Sequence, residues 1–184
     1  RLEEAGLIEL IPNRGAFVRL HDIQDILDIY DMKAVLQAHA GRVLAQSIGT
    51  RQIEQLGEIL TQAEAAAGRG DVGELLLNNG RFHSLSMEFT GNRRLLLMHE
   101  SMEREIQVWR RRLVSRPLNI AAVTSEHRHM LETLRRGNPG IASDVFRDHC
   151  IAGKMRILRM IEDEGLVSNR GGEGQDTVTK LRII

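Results

Sequence analysis

Six stretches of this chain carry apolar residues at helical spacing, and glycine, asparagine or proline closes off almost every one. Ile23, Ile26, Leu27, Tyr30, Ala34 and Leu36 begin the series behind Asp22, a residue type suited to the N-cap. This first helix is expected to run to about Ile48, ahead of Gly49. A second carries Ile53, Leu56, Ile59, Leu60 and Ala63 and ends at Gly68-Arg69-Gly70. The third is expected from about Asp71 to Thr90, and the fourth through Leu95, Met98, Met102, Ile106, Trp109 and Leu113, with Pro117 as its boundary. A fifth, from about Asn119 to Arg136, is broken by Gly137-Asn138-Pro139-Gly140. The sixth begins near Ile141 and reaches Gly165. Aromatic residues are only 3% of the chain while apolar residues are 42%, so Leu, Ile, Val, Met and Ala must build the core. That composition suits helices better than strands.

Two flanking segments break the pattern. Leu7 to Leu10 and Ala16 to Leu20 are short apolar runs joined by Pro12-Asn13-Arg14-Gly15, the grammar of a β-hairpin. From Ser168 to Thr179 the chain is polar and glycine-rich and reads as a disordered or loosely attached tail. The expected fold class is therefore all-α: an antiparallel bundle of about six helices preceded by a short hairpin. Formal net charge is zero, which argues against nucleic-acid binding by bulk electrostatics. A single cysteine, Cys150, excludes an internal disulfide and is expected in the core. No apolar run approaches the ~20 residues needed to span a bilayer, and the first residues lack the chemistry of a signal peptide. A cytoplasmic protein with no membrane partner is the expectation. The missing initial methionine suggests a piece of a longer protein.

Chemistry concentrates in four residues. Asn79 and His83 are four apart, so on a helix they project from one face about one turn apart. Together with His127 and His149 they are spaced to suit one metal or anion site inside a bundle. His129, two residues from His127, points away and is expected at the surface, and His21, His39 and His99 have no partner at ligand spacing. Glu126 adjoins His127 and is expected to point elsewhere, which leaves a hydrolase without a general base.

In order along the chain, LEEAGLI through NRGAFV, then DILDIY, then NGRFHSLSMEFTGN, then Glu126-His127 and His149 resemble the GntR superfamily of bacterial transcription regulators, in its FadR-type subgroup. The resemblance covers residues 1 to about 165. It implies a winged helix-turn-helix remnant over 1–20, a helical effector-binding and dimerisation domain over 21–166, and a tail over 167–184. Such relatives hold a divalent metal with one Asp and three His, which correspond here to Asn79, His83, His127 and His149. Zn is the expected metal, with Ni, Mn or Fe as alternatives. Asn79 departs from the usual Asp, and an amide is the poorer ligand. Lys33 and Gln37 stand where relatives often show Arg and Glu, and are the expected effector contacts. Arg14, in the wing, is the expected DNA contact. The implied function is a DNA-binding repressor, not an enzyme, acting as a homodimer on operator DNA and responding to a small carboxylate. The alternatives are a helical scaffold without ligand and a three-histidine metal-dependent hydrolase.

Overall fold

A computed structural model describes the backbone of residues 8–11, 15–18, 23–114 and 117–163, and the side chains of 23–107 and 120–163. Six helices are described: α1 (Ile23–Ser47), α2 (Thr50–Gly68), α3 (Val72–Phe89), α4 (Arg93–Val114), α5 (Pro117–Arg136) and α6 (Pro139–Asp163). The chain is all-α in class. Ahead of the bundle, β1 (Ile8–Ile11) and β2 (Gly15–Val18) form an antiparallel pair with Ile8 opposite Val18 and Ile11 opposite Gly15. Arg14, Asp22, the segment expected as the end of a recognition helix, and the expected tail lie outside the described residues.

Local chemistry explains the helix ends. The Asp71 carboxylate caps α3 by accepting from the Glu74 amide at 2.9 Å. The Asn92 side chain accepts from the amides of Arg94 and Leu95 at the start of α4, each at 3.1 Å. Asn138 does the same for Gly140 and Ile141 at the start of α6. Gly70, Gly91 and Gly137 link successive helices at φ of 70°, 71° and 68°, a left-handed conformation that a Cβ disfavours. The two later prolines behave differently from the sequence expectation. Pro117 and Pro139 open α5 and α6 and do not lie between helices, because the first helical position needs no N–H donor and favours proline's fixed φ.

The long helices α1 and α6 pack along most of their lengths, with α2 against α3 and α5. Four apolar clusters form among the described residues, and the two largest reach α6. In one, Leu44, Leu56, Leu60, Phe82, Met130, Leu131, Leu134 and Phe146 join α1, α2, α3, α5 and α6. In the other, Ile26, Tyr30, Ile106, Ile157, Met160 and Ile161 join α1, α4 and α6. Polar residues sit between them along the chain: the buried Lys33 and Gln37 fall between Tyr30 and Leu44 on α1, and the part-buried His149 falls between Phe146 and Ile157 on α6. Glycines permit the close α1–α6 approach on either side of this polar layer. A Cβ on Gly41 would stand 2.5 Å from the Ala142 carbonyl oxygen, and one on Gly153 would stand 2.7 Å from the Tyr30 ring.

This packing makes Gly41→Ala a test of the α1–α6 seam. A methyl group cannot be accommodated against backbone without separating the helices, so the substitution is expected to destabilise by about 1–3 kcal/mol in chemical denaturation. Gly80→Ala, in a helical position with nothing within 4 Å of the added Cβ, is expected to stabilise by about 0.5–1 kcal/mol through helix propensity.

Candidate metal centre

Three helices each supply one imidazole to a common point. His83 lies on α3 directly after Phe82, His127 on α5, and His149 on α6. His83 and His127 are fully buried and His149 retains 11% exposure at its side chain. The Nε2 atoms face each other: His127 Nε2 is 3.0 Å from His83 Nε2, and His149 Nε2 is 3.3 Å from it. One ligand atom from each ring lies within 4.8 Å of the others. Two nitrogens bound tetrahedrally to one zinc at the usual bond length stand about 3.3 Å apart. The donor set and its spacing therefore fit a divalent metal with little rearrangement.

Asn79 occupies the fourth expected position, one turn before His83 on α3. It is buried, and its Oδ1 has no hydrogen-bond partner. Leaving such an atom unsatisfied inside a protein costs about 1–3 kcal/mol. A bound cation would offset that cost, and the orphaned oxygen is a second observation that fits the metal.

The ring nitrogens that face away from the centre are held by neighbours. His149 Nδ1 is 2.8 Å from Glu126 Oε2. A carboxylate can only accept, so the ring donates from Nδ1 and Nε2 keeps its lone pair. Burial, first among the causes, pushes the His149 pKa down, and the charges of Arg156 and Lys33 act in the same direction against the opposing pull of Glu126. The ring is thus kept neutral and able to ligate. Glu126 is itself clamped by Arg156, whose Nη1 and Nη2 donate to Oε1 and Oε2 at 2.6 and 2.8 Å. Burial alone would raise the carboxyl pKa, but the hydrogen bonds from His149 and Arg156 outweigh it and bring it to about 2. Since His149 is neutral, the permanently charged guanidinium is the partner that keeps Glu126 ionised. On the opposite side, Gln37 Nε2 is 3.0 Å from His83 Nδ1.

One sequence expectation is corrected. Glu126 does not point away from the cluster. It adjoins His127 in sequence but serves His149, which arrives from a different helix. His99, which the sequence gives no partner at ligand spacing, is fully buried; its ring centroid is 6.1 Å from that of His83 and its Nε2 is 3.8 Å from Glu103. Glu103 also pairs with Lys33, which lies 5.7 Å above the Tyr30 ring. Lys33 and Gln37 are both buried, with Lys33 engaged by Glu103 and Gln37 by His83. Only the four-residue spacing of Glu103 after His99 hinted at this second polar group. His129 is exposed and Cys150 buried, as the helical spacing predicts.

The fold is a helical bundle that brings three histidines together, and comparison with known proteins specifies the family. The family model of the FCD domain matches residues 28–152. The chain belongs to the FCD-domain family of GntR-type transcriptional regulators. It is 24% identical over 176 residues to the Nta operon transcriptional regulator of Aminobacter aminovorans, an alignment covering 93% of this chain and 76% of that protein. The fold matches McbR/YncC of E. coli with a TM-score of 0.72 at 17% identity, covering 90% of this chain and 81% of that one. GntR of Streptococcus agalactiae matches with a TM-score of 0.59 at 18% identity, covering 84% and 77%.

If Glu126 orients His149 toward a metal, removing its carboxylate should weaken binding without removing a ligand. Glu126→Ala is expected to lower zinc affinity by about 10–100-fold in competition with a chromophoric chelator. An unchanged affinity would show that the Arg156–Glu126 clamp serves stability alone.

Proposed function

We propose that this chain is the sensing part of a GntR-type regulator in which a small organic acid, held at a divalent metal, alters operator binding. The observation that carries the reading is the convergence of the His127 and His149 Nε2 atoms within 3.3 Å of His83 Nε2, with a buried and unpartnered Asn79 oxygen one turn before His83 on α3. His83, His127 and His149 would hold the metal, with Asn79 as a weak fourth ligand or a neighbour. Zinc is the first choice for three imidazoles, with Ni, Mn and Fe as alternatives. When bound, the metal supplies Lewis acidity that anchors a carboxylate. Lys33 and Gln37 border the same space and are assigned to the effector's side of it. A cleft of about 150 Å³ between α3 and α4, lined by Gly80, Ser84, Glu103 and Arg104 among others, opens beside the Lys33–Glu103 pair. It is smaller than the ~300–1,000 Å³ typical of drug-sized ligands, and suits an acid of few atoms.

The regulatory logic is linkage. The effector can shift DNA affinity only by as much as it prefers one arrangement of the domain over another. The site draws side chains from α3, α5 and α6, with α1 behind them, so binding there bears on how these helices pack. Exposed apolar side chains on α1 (Met32, Val35) and α4 (Leu97, Met98) support a homodimer formed through this domain. A dimer would pair two winged heads on a palindromic operator, with 1–20 as the remnant of one head, the β1–β2 pair as its wing and Arg14 as a DNA contact. Among the described residues no helix is long and apolar enough to cross a membrane, and a cytoplasmic location agrees with a DNA-binding role.

The same histidines could serve a hydrolase only with a general base beside the metal. The carboxylate that touches the cluster, Glu126, has a pKa of about 2 and is gripped by Arg156, so it is a poor base at neutral pH.

Asn79→Asp tests the charge of the site. Three neutral imidazoles and an amide leave the metal's double charge uncompensated, which favours an anionic effector. A carboxylate at this position is expected to tighten zinc binding by about tenfold or more. It should also reduce the thermal stabilisation produced by whichever small acid stabilises the zinc-loaded wild type. A chain that binds no zinc, or that no small acid stabilises, would overturn the reading.

A further inference from the structure

We infer that Gln37 decides which nitrogen of His83 carries the ring proton, and that its side-chain amide must turn over for the three-histidine site to take a metal. The inference rests on the metal reading above. An amide nitrogen can only donate. With Gln37 Nε2 3.0 Å from His83 Nδ1, the ring accepts at Nδ1 and its proton sits on Nε2. That proton points into the cluster, where His127 Nε2 at 3.0 Å and His149 Nε2 at 3.3 Å can accept it. In this tautomer Nε2 has no lone pair for a metal.

His149 shows the opposite arrangement. Its Nδ1 faces the Glu126 carboxylate, which only accepts, so its Nε2 is bare. The two rings point the same nitrogen at one centre but have been given opposite tautomers by their neighbours. Gln37 differs from Glu126 in being able to serve either tautomer. Its Oε1 is buried and has no hydrogen-bond partner. Turning the amide over brings Oε1 to Nδ1, where it accepts from an Nδ1–H. The ring then loses its proton at Nε2 and takes one up at Nδ1, with no change in net charge. The oxygen gains this partner in exchange for the amide nitrogen, and Nε2 of His83 becomes a ligand. The two amide orientations have nearly the same shape, so the packing of α1 against α3 does not choose between them. The proton on His83 does. Gln37 is thus a positioning residue that works through His83, and glutamine at this place makes the site convertible where a carboxylate would fix it in the ligating form.

The test uses the whole chain with zinc as the probe and long-range proton–nitrogen correlation spectra of ¹⁵N-labelled histidine. Without zinc, His83 is expected to be protonated at Nε2; with zinc, at Nδ1. Gln37→Glu should place the proton on Nδ1 before zinc is added and raise zinc affinity about tenfold. Gln37→Met, similar in volume but unable to hydrogen-bond, should lower it about 10–100-fold. Zinc binding with no change of the protonated nitrogen, or equal affinities in wild type and both variants, overturns the role of Gln37 and leaves the metal reading standing. Failure of the wild type to bind zinc at all removes both.

Discussion

Imidazole nitrogens with lone pairs facing one another repel, and burial denies them water to separate them. His83 Nε2 and the two such atoms within 3.3 Å of it must therefore share something positive, either a proton passed between rings or a metal ion. This requirement organises the surrounding residues. The Arg156–Glu126 pair fixes the tautomer of His149, Gln37 faces the outer nitrogen of His83, and Phe82 packs against the His127 ring at a centroid distance of 5.0 Å. Each contact restricts a ring to the orientation that brings its Nε2 inward. The histidines would scatter if any of α3, α5 and α6 shifted by a turn, so the centre is also a register marker for the bundle.

The scaffold protects that register from both sides. Gly41 and Gly153 let α1 and α6 meet closely, one glycine on each side of the polar layer along the helices, and the apolar clusters of Phe82–Phe146 and Tyr30–Ile157 close it off. A polar layer between two apolar ones is costly unless its members satisfy each other. Here nearly all of the named groups do. Arg156 Nε lacks a partner, and so do two acceptors: Gln37 Oε1, on the side chain that meets His83, and Asn79 Oδ1, one turn before His83 on α3. Orphaned acceptors in that place fit the proposed cation site.

Much of this was legible in the sequence because it is local. Helical periodicity and the breakers at Gly70, Gly91 and Gly137 located six helices, and the spacing of Asn79 and His83 put both on one buried face. The prolines were read as stops because proline ends a helix as readily as it begins one; only the Asn138 cap beside Pro139 distinguishes the cases. What the sequence concealed is tertiary. The angle between Glu126 and His127 on one helix says nothing of His149, which comes from another. Lys33 meets Glu103 across seventy residues, and no periodicity reports such a pair. His99 illustrates the same limit, since its lack of a sequence partner did not keep it out of the core.

The central claim is that His83, His127 and His149 bind one metal through their Nε2 atoms. X-ray absorption at the zinc edge of the loaded protein addresses it directly, because imidazole rings scatter with a recognisable outer-shell pattern. The account predicts three imidazole nitrogens at about 2.0–2.1 Å with oxygen completing the shell, and two imidazoles in His149→Ala. A first shell of oxygen alone, a sulfur from Cys150, or the same imidazole number after that substitution would contradict it.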